Sequence, residues 1–561
     1  DARHAPGHQG FVQHGRPAHH AGLAPDARLR AHRGWADGGA HESRRLHRAK
    51  FYGIRRLNSR GLRASHRAAP GGTQRIIGRN AQLLSIAHGK FRRDSFLANS
   101  TRSISLMLNR YHIQLAEKPN YLDITFQFTP RKPGKQVIQL PIWRPGRYQA
   151  QNFAKNIPIL KAFSGGVSIL IEKIASSTWT LEASEPVEIR CSYYANQPDA
   201  GGSVVEPDLL YINFINCLLY VKGRENERCE IQIEKPAGWQ SACTFKNGGK
   251  YRELVDSPYI AAPAIFQHKW KCNGVKFAID VVGSRQALTK KLTDAYEKFT
   301  QTQLDWMGHF PVKEYHYMLW VCPKPYYHGV EHTKSTMMVM GPPDRDAYED
   351  LIGLGSHELF HVWNIATIRP KELFPYAYDR EVPFSTGWVV EGITTYLGDW
   401  FLYESGVWTR QEYLAGLLGN LKLHFDRDAN AQQSLEESSI DLWLDGYGES
   451  LPNKRASIYY KGAVVALALD LQLQAKNGKS LKEVMHKMNA EFGALKKGYT
   501  KADFIRICEE TYGESLQDFF HQFVETTTDI TADLQDILES AGLQFAQNIP
   551  KGWTLIEKHA I

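Results

Sequence analysis

The sequence lacks any uninterrupted run of about 18 apolar residues, the minimum that a helix needs to cross a lipid bilayer. Its longest apolar segment, GAVVALALDL, is broken by Asp470. We therefore expect no membrane span. The hydrophobic content of 43% is that of a folded protein, and a chain of 561 residues is too long for one hydrophobic core, so several domains are expected.

Cysteine is also scarce. The seven cysteines are an odd number, are widely spaced and include no C-x-x-C pair. This pattern argues against a disulfide framework and against a zinc site built from cysteine thiolates. It fits reduced thiols, and we expect a cytoplasmic protein.

Acidic residues are nearly absent from one segment. Residues 1–106 contain 20 Lys and Arg against 5 Asp and Glu, which leaves 48 basic and 54 acidic residues for the rest of the chain. This basic leader has no sustained hydrophobic period, so we expect it to be disordered. It is read as a non-native extension, with a nucleic-acid-binding arm or a transit peptide as alternatives. No nucleic-acid partner is expected for the remainder.

The rest of the chain divides into segments with different hydrophobic periods. Residues 107–284 form short alternating strands separated by Pro, Gly, Asn and Asp turns, which predicts an antiparallel β-sandwich. Residues 285–407 mix strands with helices, and residues 408–530 are helical almost throughout. Residues 531–561 make only a short tail. The predicted fold class is multidomain α+β.

The stretch HELFH places His357 and His361 four residues apart with Glu358 between them. Residues at this spacing lie on the same face of an α-helix, so both imidazoles can bind one metal ion. Catalytic zinc takes three protein ligands and one water, and Glu358 is placed to act as general base on that water. Two histidines in ordinary packing or solvent positions are the alternative.

Three further segments bear on this choice. Glu391 lies in an apolar helical segment, where a metal ion would offset its desolvation cost, although it also fits a helix-start carboxylate. Glu331 precedes an apolar strand and is either a group that binds a cation or a surface carboxylate. Tyr459 and Tyr460 precede an apolar helix; a phenol beside the metal can stabilise an oxyanion, but core tyrosines are common.

Four segments, HGVEHTKS, HELFHVWN, WVVEG and YYKGA, follow one another along the chain. Together they resemble the motifs of the glycyl aminopeptidase family of zinc metallopeptidases, gluzincins that are distantly related to aminopeptidase N. The likeness extends over about residues 109 to 540 and includes LPIWRPGRYQ, YYANQPD and ELVDSPY. It implies that residues 285–407 form a thermolysin-like zinc domain.

The resemblance also implies roles for individual residues. One zinc ion is expected on His357, His361 and Glu391, with Glu358 as the general base. Glu331 would hold the free α-amino group of the substrate, and Tyr459 would stabilise the tetrahedral intermediate. His328 stands where the family pattern has Gly, and residues 531–561 stand where relatives carry a PDZ domain.

The function implied by these segments is a zinc-dependent aminopeptidase that releases N-terminal Gly or other small residues from peptides with a free amino terminus. Two alternatives remain open: a zinc endopeptidase or other gluzincin hydrolase, and a non-catalytic protein-binding scaffold. The S1 pocket, the physiological substrate and the oligomeric state do not follow from these patterns.

Overall fold

The fold is taken from a computed structural model that describes residues 108–425, 428–447, 451–452, 454–548 and 552–557. The predicted disordered leader, residues 1–106, falls outside these residues. Within them the chain is a multidomain α+β protein with sandwich-like sheets in its N-terminal part and a helical C-terminal part.

Short strands build three sheets in the N-terminal part. Burial alternates along them as expected for a period of two: in YLDITFQF the side chains of Leu122, Ile124, Phe126 and Phe128 point into the core. The strands are β1 (Asn109–Leu115), β2 (Tyr121–Phe128), β3 (Gly134–Gln139), β4 (Ile159–Ser164), β5 (Val167–Ile169), β6 (Ile171–Ala175), β7 (Thr178–Ala183), β8 (Val187–Tyr194), β9 (Val204–Glu206), β10 (Leu209–Ile212), β11 (Tyr220–Val221), β12 (Cys229–Ile233), β13 (Gln240–Cys243) and β14 (Tyr259–Ala262), with one short helix, α1 (Tyr251–Leu254).

The strand orders are β12-β1-β2-β8-β4-β5, β11-β3-β7-β6 and β13-β14-β10-β9. The prediction of purely antiparallel pairing was wrong at one edge, because β1 and β12 are parallel. More than 100 residues separate these two strands in the chain, so neither a hairpin turn nor local hydrophobic alternation specifies their relative direction.

A fourth sheet is mixed and has the order β15-β16-β17-β19-β18: β15 (Phe266–Cys272), β16 (Val275–Val282), β17 (Glu314–Val321), β18 (Tyr326–Glu331) and β19 (Ser335–Gly341). Strand β16 was predicted as part of the sandwich, but it pairs in parallel with β17 across the helix α2 (Lys290–Met307). Nearly all of β16 is buried, as is usual for the inner strands of a sheet covered on both faces. The pattern of apolar and polar residues in β16 therefore did not indicate the sheet to which this strand belongs.

The helices that follow are α3 (Tyr348–Phe360), α4 (Gly387–Glu404), α5 (Arg410–Phe425), α6 (Leu435–Asp445), α7 (Tyr460–Asn477), α8 (Leu481–Met488), α9 (Lys501–Tyr512), α10 (Gln517–Phe520) and α11 (Thr531–Ser540), and the chain ends in a hairpin of β20 (Leu543–Asn548) and β21 (Gly552–Glu557). One hydrophobic cluster extends from the mixed sheet through these helices as far as Phe545. No helix among the described residues is long and apolar enough to cross a membrane.

Two layers cover the mixed sheet. Met338 and Met340 contribute to the cluster that includes α2, α3 and α4, whereas Met337 and Val339 pack in a separate cluster with residues of the β13-β14-β10-β9 sheet. Because successive side chains of β19 point to opposite faces, this strand joins the helical layer to the N-terminal sheets. The arrangement places the end of β18 beside α3.

Candidate metal centre and catalytic site

Helix α3 is fixed on two sides before it reaches its histidines. The Ser356 hydroxyl donates to the carbonyl oxygen of Gly398 on α4 at 2.8 Å, and the Gln303 side chain on α2 donates to the Ser356 carbonyl at 2.9 Å. A Cβ on Gly355 would collide with the phenol of Tyr296, so glycine permits the close approach of α2. These contacts set the position of the last helical turn.

The imidazoles of His357 and His361 and the carboxylate of Glu391 converge. His357 belongs to the last turn of α3, and His361 follows the helix with helical backbone angles. Their Nε2 atoms lie 3.0 Å apart, and Oε2 of Glu391 on α4 lies 3.6 and 3.3 Å from them. Ligand atoms around a tetrahedral zinc ion with bonds of about 2.0–2.1 Å are roughly 3.3 Å apart. The three side chains therefore fit a single metal ion. Among the described residues, they form the one group of His, Cys, Asp or Glu side chains placed closely enough to hold a metal.

The backbone of Asn364 selects the tautomer of His361. The Nδ1 atom of His361 lies 2.8 Å from the Asn364 carbonyl oxygen, which can only accept a hydrogen bond. Nδ1 therefore carries a proton, and Nε2 is the ring nitrogen that faces Glu391. Metal-bound histidines commonly donate their other ring N–H in this way.

The side chain of Asn364 links the turn after α3 to helix α4, which carries Glu391. Its amide nitrogen lies 2.9 and 3.0 Å from the carbonyl oxygens of Val389 and Val390 and 3.1 Å from Oγ1 of Thr394. All four residues are fully buried. One residue thus fixes both the ring of His361 and the first turns of α4, which carry Glu391.

The charges of the cluster favour a cation. Burial raises the pKa of Glu391, but the charge of His361 and the hydrogen bonds of both imidazoles outweigh it and lower the pKa to about 2. Burial lowers the pKa of His361, but Glu391 and two further carboxylates, Glu331 and Glu358, raise it to about 10. Three buried carboxylates thus hold a positive charge at this position, which a divalent ion would supply directly.

Glu358 is buried next to this cluster. Burial is the main cause that raises the pKa of its carboxyl to about 8, opposed by the charge of His361 and reinforced by those of Glu331 and Glu391. Oε2 has no hydrogen-bond partner among the described residues. A Cβ on Gly329 of β18 would collide with its Oε1, so only glycine leaves room for this carboxylate.

Glu331 is the last residue of β18 and is also buried. Burial raises the pKa of its carboxyl, His361 opposes this, and Glu391 adds to it. Its Oε1 has no partner within the described ranges, and a Cβ on Gly146 would collide with its Oε2. An unpartnered buried carboxylate of this kind suits a cationic ligand.

Tyr459 stands at the N-cap of α7 and is half-buried. Helices α4 and α7 touch where Gly392 meets Gly462, and a Cβ on Gly392 would collide with the backbone there. Because Gly392 follows Glu391 directly and Gly462 is three residues after Tyr459, the start of α7 lies at the same helix crossing as Glu391.

The sequence interpretation missed two groups from the N-terminal part. The phenol of Tyr148 is fully buried without a hydrogen-bond partner in the described part of the chain, and burial, then Glu391 and Glu331, raise its pKa well above its usual range. The guanidinium of Arg144 is buried as well, and its charge acts on Glu331 and Glu358. Both residues belong to LPIWRPGRYQ, where polar residues inside an apolar segment were the available signal.

Comparison with protein families matches two regions. The Peptidase M61 N-terminal domain matches residues 110–263, and the M61 glycyl aminopeptidase domain matches residues 350–465, which include His357, His361 and Glu391. The chain belongs to the M61 glycyl aminopeptidase family. The predicted resemblance is thereby confirmed, and this M61 chain is a metallo-aminopeptidase.

One solved structure agrees with the fold of this M61 protein. An aminopeptidase N family protein from Idiomarina loihiensis is 26% identical with a TM-score of 0.74, and the match covers 79% of this chain and 80% of that chain. An M1 zinc metallopeptidase from Deinococcus radiodurans is 15% identical with a TM-score of 0.49, covering 76% of this chain and 94% of that one. No curated protein matched.

Proposed function

We propose that this M61 protein uses one zinc ion to release N-terminal Gly or another small residue from peptides with a free amino terminus. The observation that carries the proposal is the convergence of His357, His361 and Glu391 next to the buried carboxylates of Glu331 and Glu358. Each of these two carboxylates has one oxygen without a hydrogen-bond partner among the described residues. The first three side chains would hold the ion, and the other two would act on water and substrate.

A bound zinc ion would lower the pKa of its water towards about 7 and polarise the scissile carbonyl. Glu358 takes the proton of the attacking water and passes it to the nitrogen of the leaving amine. Its raised pKa suits this shuttle, because a carboxyl that titrates near neutrality can both accept and return a proton.

Glu331 restricts the enzyme to chain ends. Its buried carboxylate binds the α-ammonium group of the first residue, whereas an internal peptide segment would leave it unpaired at a cost of about 1–3 kcal/mol. Tyr459 donates a hydrogen bond to the oxyanion that develops when water attacks the carbonyl. The preference for Gly and other small residues rests on the family.

The proposal includes a division of the chain. The mixed sheet with α2, α3 and α4 is taken as a thermolysin-like zinc domain, extended from the predicted 285–407 to include β15 and β16. The sandwich, predicted as residues 107–284, would end with β14. Residues 408–530 would form the helical domain and residues 531–561 the tail.

Hydrolysis of glycyl and N-acetylglycyl reporter amides tests the proposal. We expect the zinc-loaded protein to cleave the free glycyl amide, to leave the acetylated amide intact, and to lose activity on chelation and regain it with zinc. Equal cleavage of both amides would support an endopeptidase. Stoichiometric zinc without cleavage of either would support the scaffold.

A further inference from the structure

Two segments of the N-terminal part meet the end of β18, where the proposed amine-binding residue lies. One is the loop that includes Gly146, where an added Cβ would collide with the carboxylate of Glu331. The other is the segment after α1, which carries Asp256 and belongs to ELVDSPY. The proposed mechanism assigns no role to this second segment.

The carboxylate of Asp256 binds the turn that follows Glu331. Its Oδ2 accepts the backbone N–H of Thr333 at 3.2 Å, and its Oδ1 lies 3.3 Å from Nδ1 of His332. Because the carboxylate accepts this bond, Nδ1 carries the proton. The other ring nitrogen of His332, Nε2, is buried without a hydrogen-bond partner in the described part of the chain. One carboxylate thus holds the two residues that come directly after Glu331.

The turn is a short connection between two strands. Residues 332–334 join β18 to β19, and the backbone N–H of His332 donates to the Ser335 carbonyl oxygen at 2.9 Å. Glu331 pairs with Thr336 where the two strands meet the turn. Since Glu331 is the last residue of β18, a shift of the turn would move the backbone that carries its carboxylate.

Hydrogen bonds rather than close packing hold the turn on the side of Asp256. His332, Thr333 and Lys334 line a cavity of about 200 Å³ together with Asp256 itself. A turn that borders open space can move into it when its hydrogen bonds are lost. Removal of the Asp256 carboxylate would also leave the Thr333 N–H without its acceptor.

Asp256 is itself held by a rigid segment. Tyr251 of α1 is buried in the core of the N-terminal sheets, and its hydroxyl donates to the Leu218 carbonyl oxygen at 2.8 Å. After Asp256, the backbone N–H of Ser257 donates to the Leu254 carbonyl oxygen at 3.1 Å. The side chain that binds the turn therefore starts from a fixed position in the N-terminal part.

We propose that Asp256 is a positioning residue for the amine site: by holding the turn after Glu331, it keeps the Glu331 carboxylate where the free α-ammonium group of the substrate binds. The N-terminal sheets thereby take part in the restriction to free amino termini. The inference rests on the proposed function, from which it takes the role of Glu331. Asp256 acts through Glu331 and is assigned no contact with the substrate.

Kinetics of the zinc-loaded full chain on a glycyl reporter amide test this role. Asp256→Ala should raise KM by about 10–100-fold, the order of effect that misplacement of a binding group by about 1 Å has. It should change kcat by less than about threefold, because substrate binding is what is lost. Asp256→Asn keeps an oxygen that can accept the Thr333 N–H and should raise KM less. Asp123→Ala removes another half-buried carboxylate of the N-terminal sheets and, as the matched control, should leave both constants unchanged.

A double-mutant comparison distinguishes positioning of Glu331 from a general structural role. In the Glu331→Gln background, Asp256→Ala should have little further effect on KM, because the carboxylate that it positions is gone. Equal factors in the two backgrounds, or an unchanged KM in both Asp256→Ala and Asp256→Asn, would overturn the proposal. If Asp256→Ala does not fold, the same comparison with Asp256→Asn decides.

Calorimetric binding of glycinamide separates this proposal from the proposed function. Binding that both Glu331→Gln and Asp256→Ala weaken, without hydrolysis of any amide, would support the role of Asp256 and refute the proposed function. Hydrolysis of the glycyl amide with a KM that Asp256→Ala leaves unchanged would refute the role of Asp256 alone.

Discussion

The Nδ1 atom of His361 lies 2.8 Å from the backbone carbonyl oxygen of Asn364, whose side-chain amide lies 2.9 Å from the Val389 carbonyl oxygen. The orientation of one proposed ligand and the position of the helix that carries Glu391 therefore depend on a single buried residue. Packing and hydrogen bonds within the protein thus help to set the geometry of the cluster.

Replacement of Asn364 by Ala should weaken zinc binding by about 10–100-fold, the usual effect of losing a group that orients metal ligands. The variant keeps the backbone carbonyl but releases α4 from the turn after His361. Competition with a chromophoric chelator measures the affinity. Asn109→Ala, which removes another buried asparagine far from the cluster, is the control; equal zinc affinities in the two variants would contradict the role of Asn364.

Replacement of Glu358 by Gln should lower kcat by about 10²–10⁴-fold, the usual contribution of general acid–base catalysis. The amide keeps the shape of the side chain but cannot accept the proton of water. Zinc content should stay stoichiometric, because Glu358 is not a proposed ligand. Glu404→Gln, on the exposed end of α4, controls for loss of charge. A Glu358→Gln variant with near wild-type kcat would exclude Glu358 as the base.

The phenols of Tyr459 and Tyr148 can be compared by replacing each tyrosine with Phe. Tyr459→Phe should lower kcat by about 10²–10³-fold, as does the loss of one oxyanion donor in other hydrolases. Tyr148→Phe removes a buried hydroxyl near Glu331 and Glu391 and should have the smaller effect. Steady-state kinetics on a glycyl amide distinguish them. A larger loss of kcat in Tyr148→Phe would move the oxyanion role to Tyr148.

Stability should depend on pH through a pair outside the site. Nδ1 of His316 on β17 lies 2.5 Å from the buried carboxylate of Asp280 on β16. Burial lowers the pKa of His316, but the hydrogen bond and charge of Asp280, aided by Glu314, raise it above its ordinary value of 6.5. The stabilisation is therefore complete below pH 6.5 and is lost as pH rises through the folded-state pKa.

Urea unfolding of wild type and His316→Gln from pH 6 to 9 checks this expectation. The wild type should have the higher free energy of unfolding at the acidic end, and the difference should shrink as the pH rises. A difference that grows with pH would contradict the sign of the shift.

The sequence indicated the candidate metal-binding residues more clearly than the residues that surround them. A spacing of four residues specifies one helical face, so His357 and His361 were predictable as a pair, and family motifs pointed to Glu391. The contributions of Arg144 and Tyr148 were harder to predict, because a loop about 200 residues before α3 leaves no periodic signal of its approach. Asn364 was visible only as a polar residue in an apolar stretch.

Strand β16 illustrates the same limit within the fold. A run of mostly apolar residues predicts a buried strand but does not specify which sheet buries it. The helix α2 that follows it, and the parallel pairing with β17, decide the matter. Both the helix and the partner strand lie outside β16, so the residues of the strand alone could not reveal them.

The central claim is that His357, His361 and Glu391 bind one zinc ion together. A crystal of the zinc-loaded protein, with anomalous diffraction measured on both sides of the zinc absorption edge, tests it most directly. We expect one peak per chain within about 2.0–2.2 Å of both Nε2 atoms and of a Glu391 oxygen, and no peak there in Glu391→Ala. A zinc ion bound by other side chains, or a Glu391 carboxylate that does not touch it, would contradict the account.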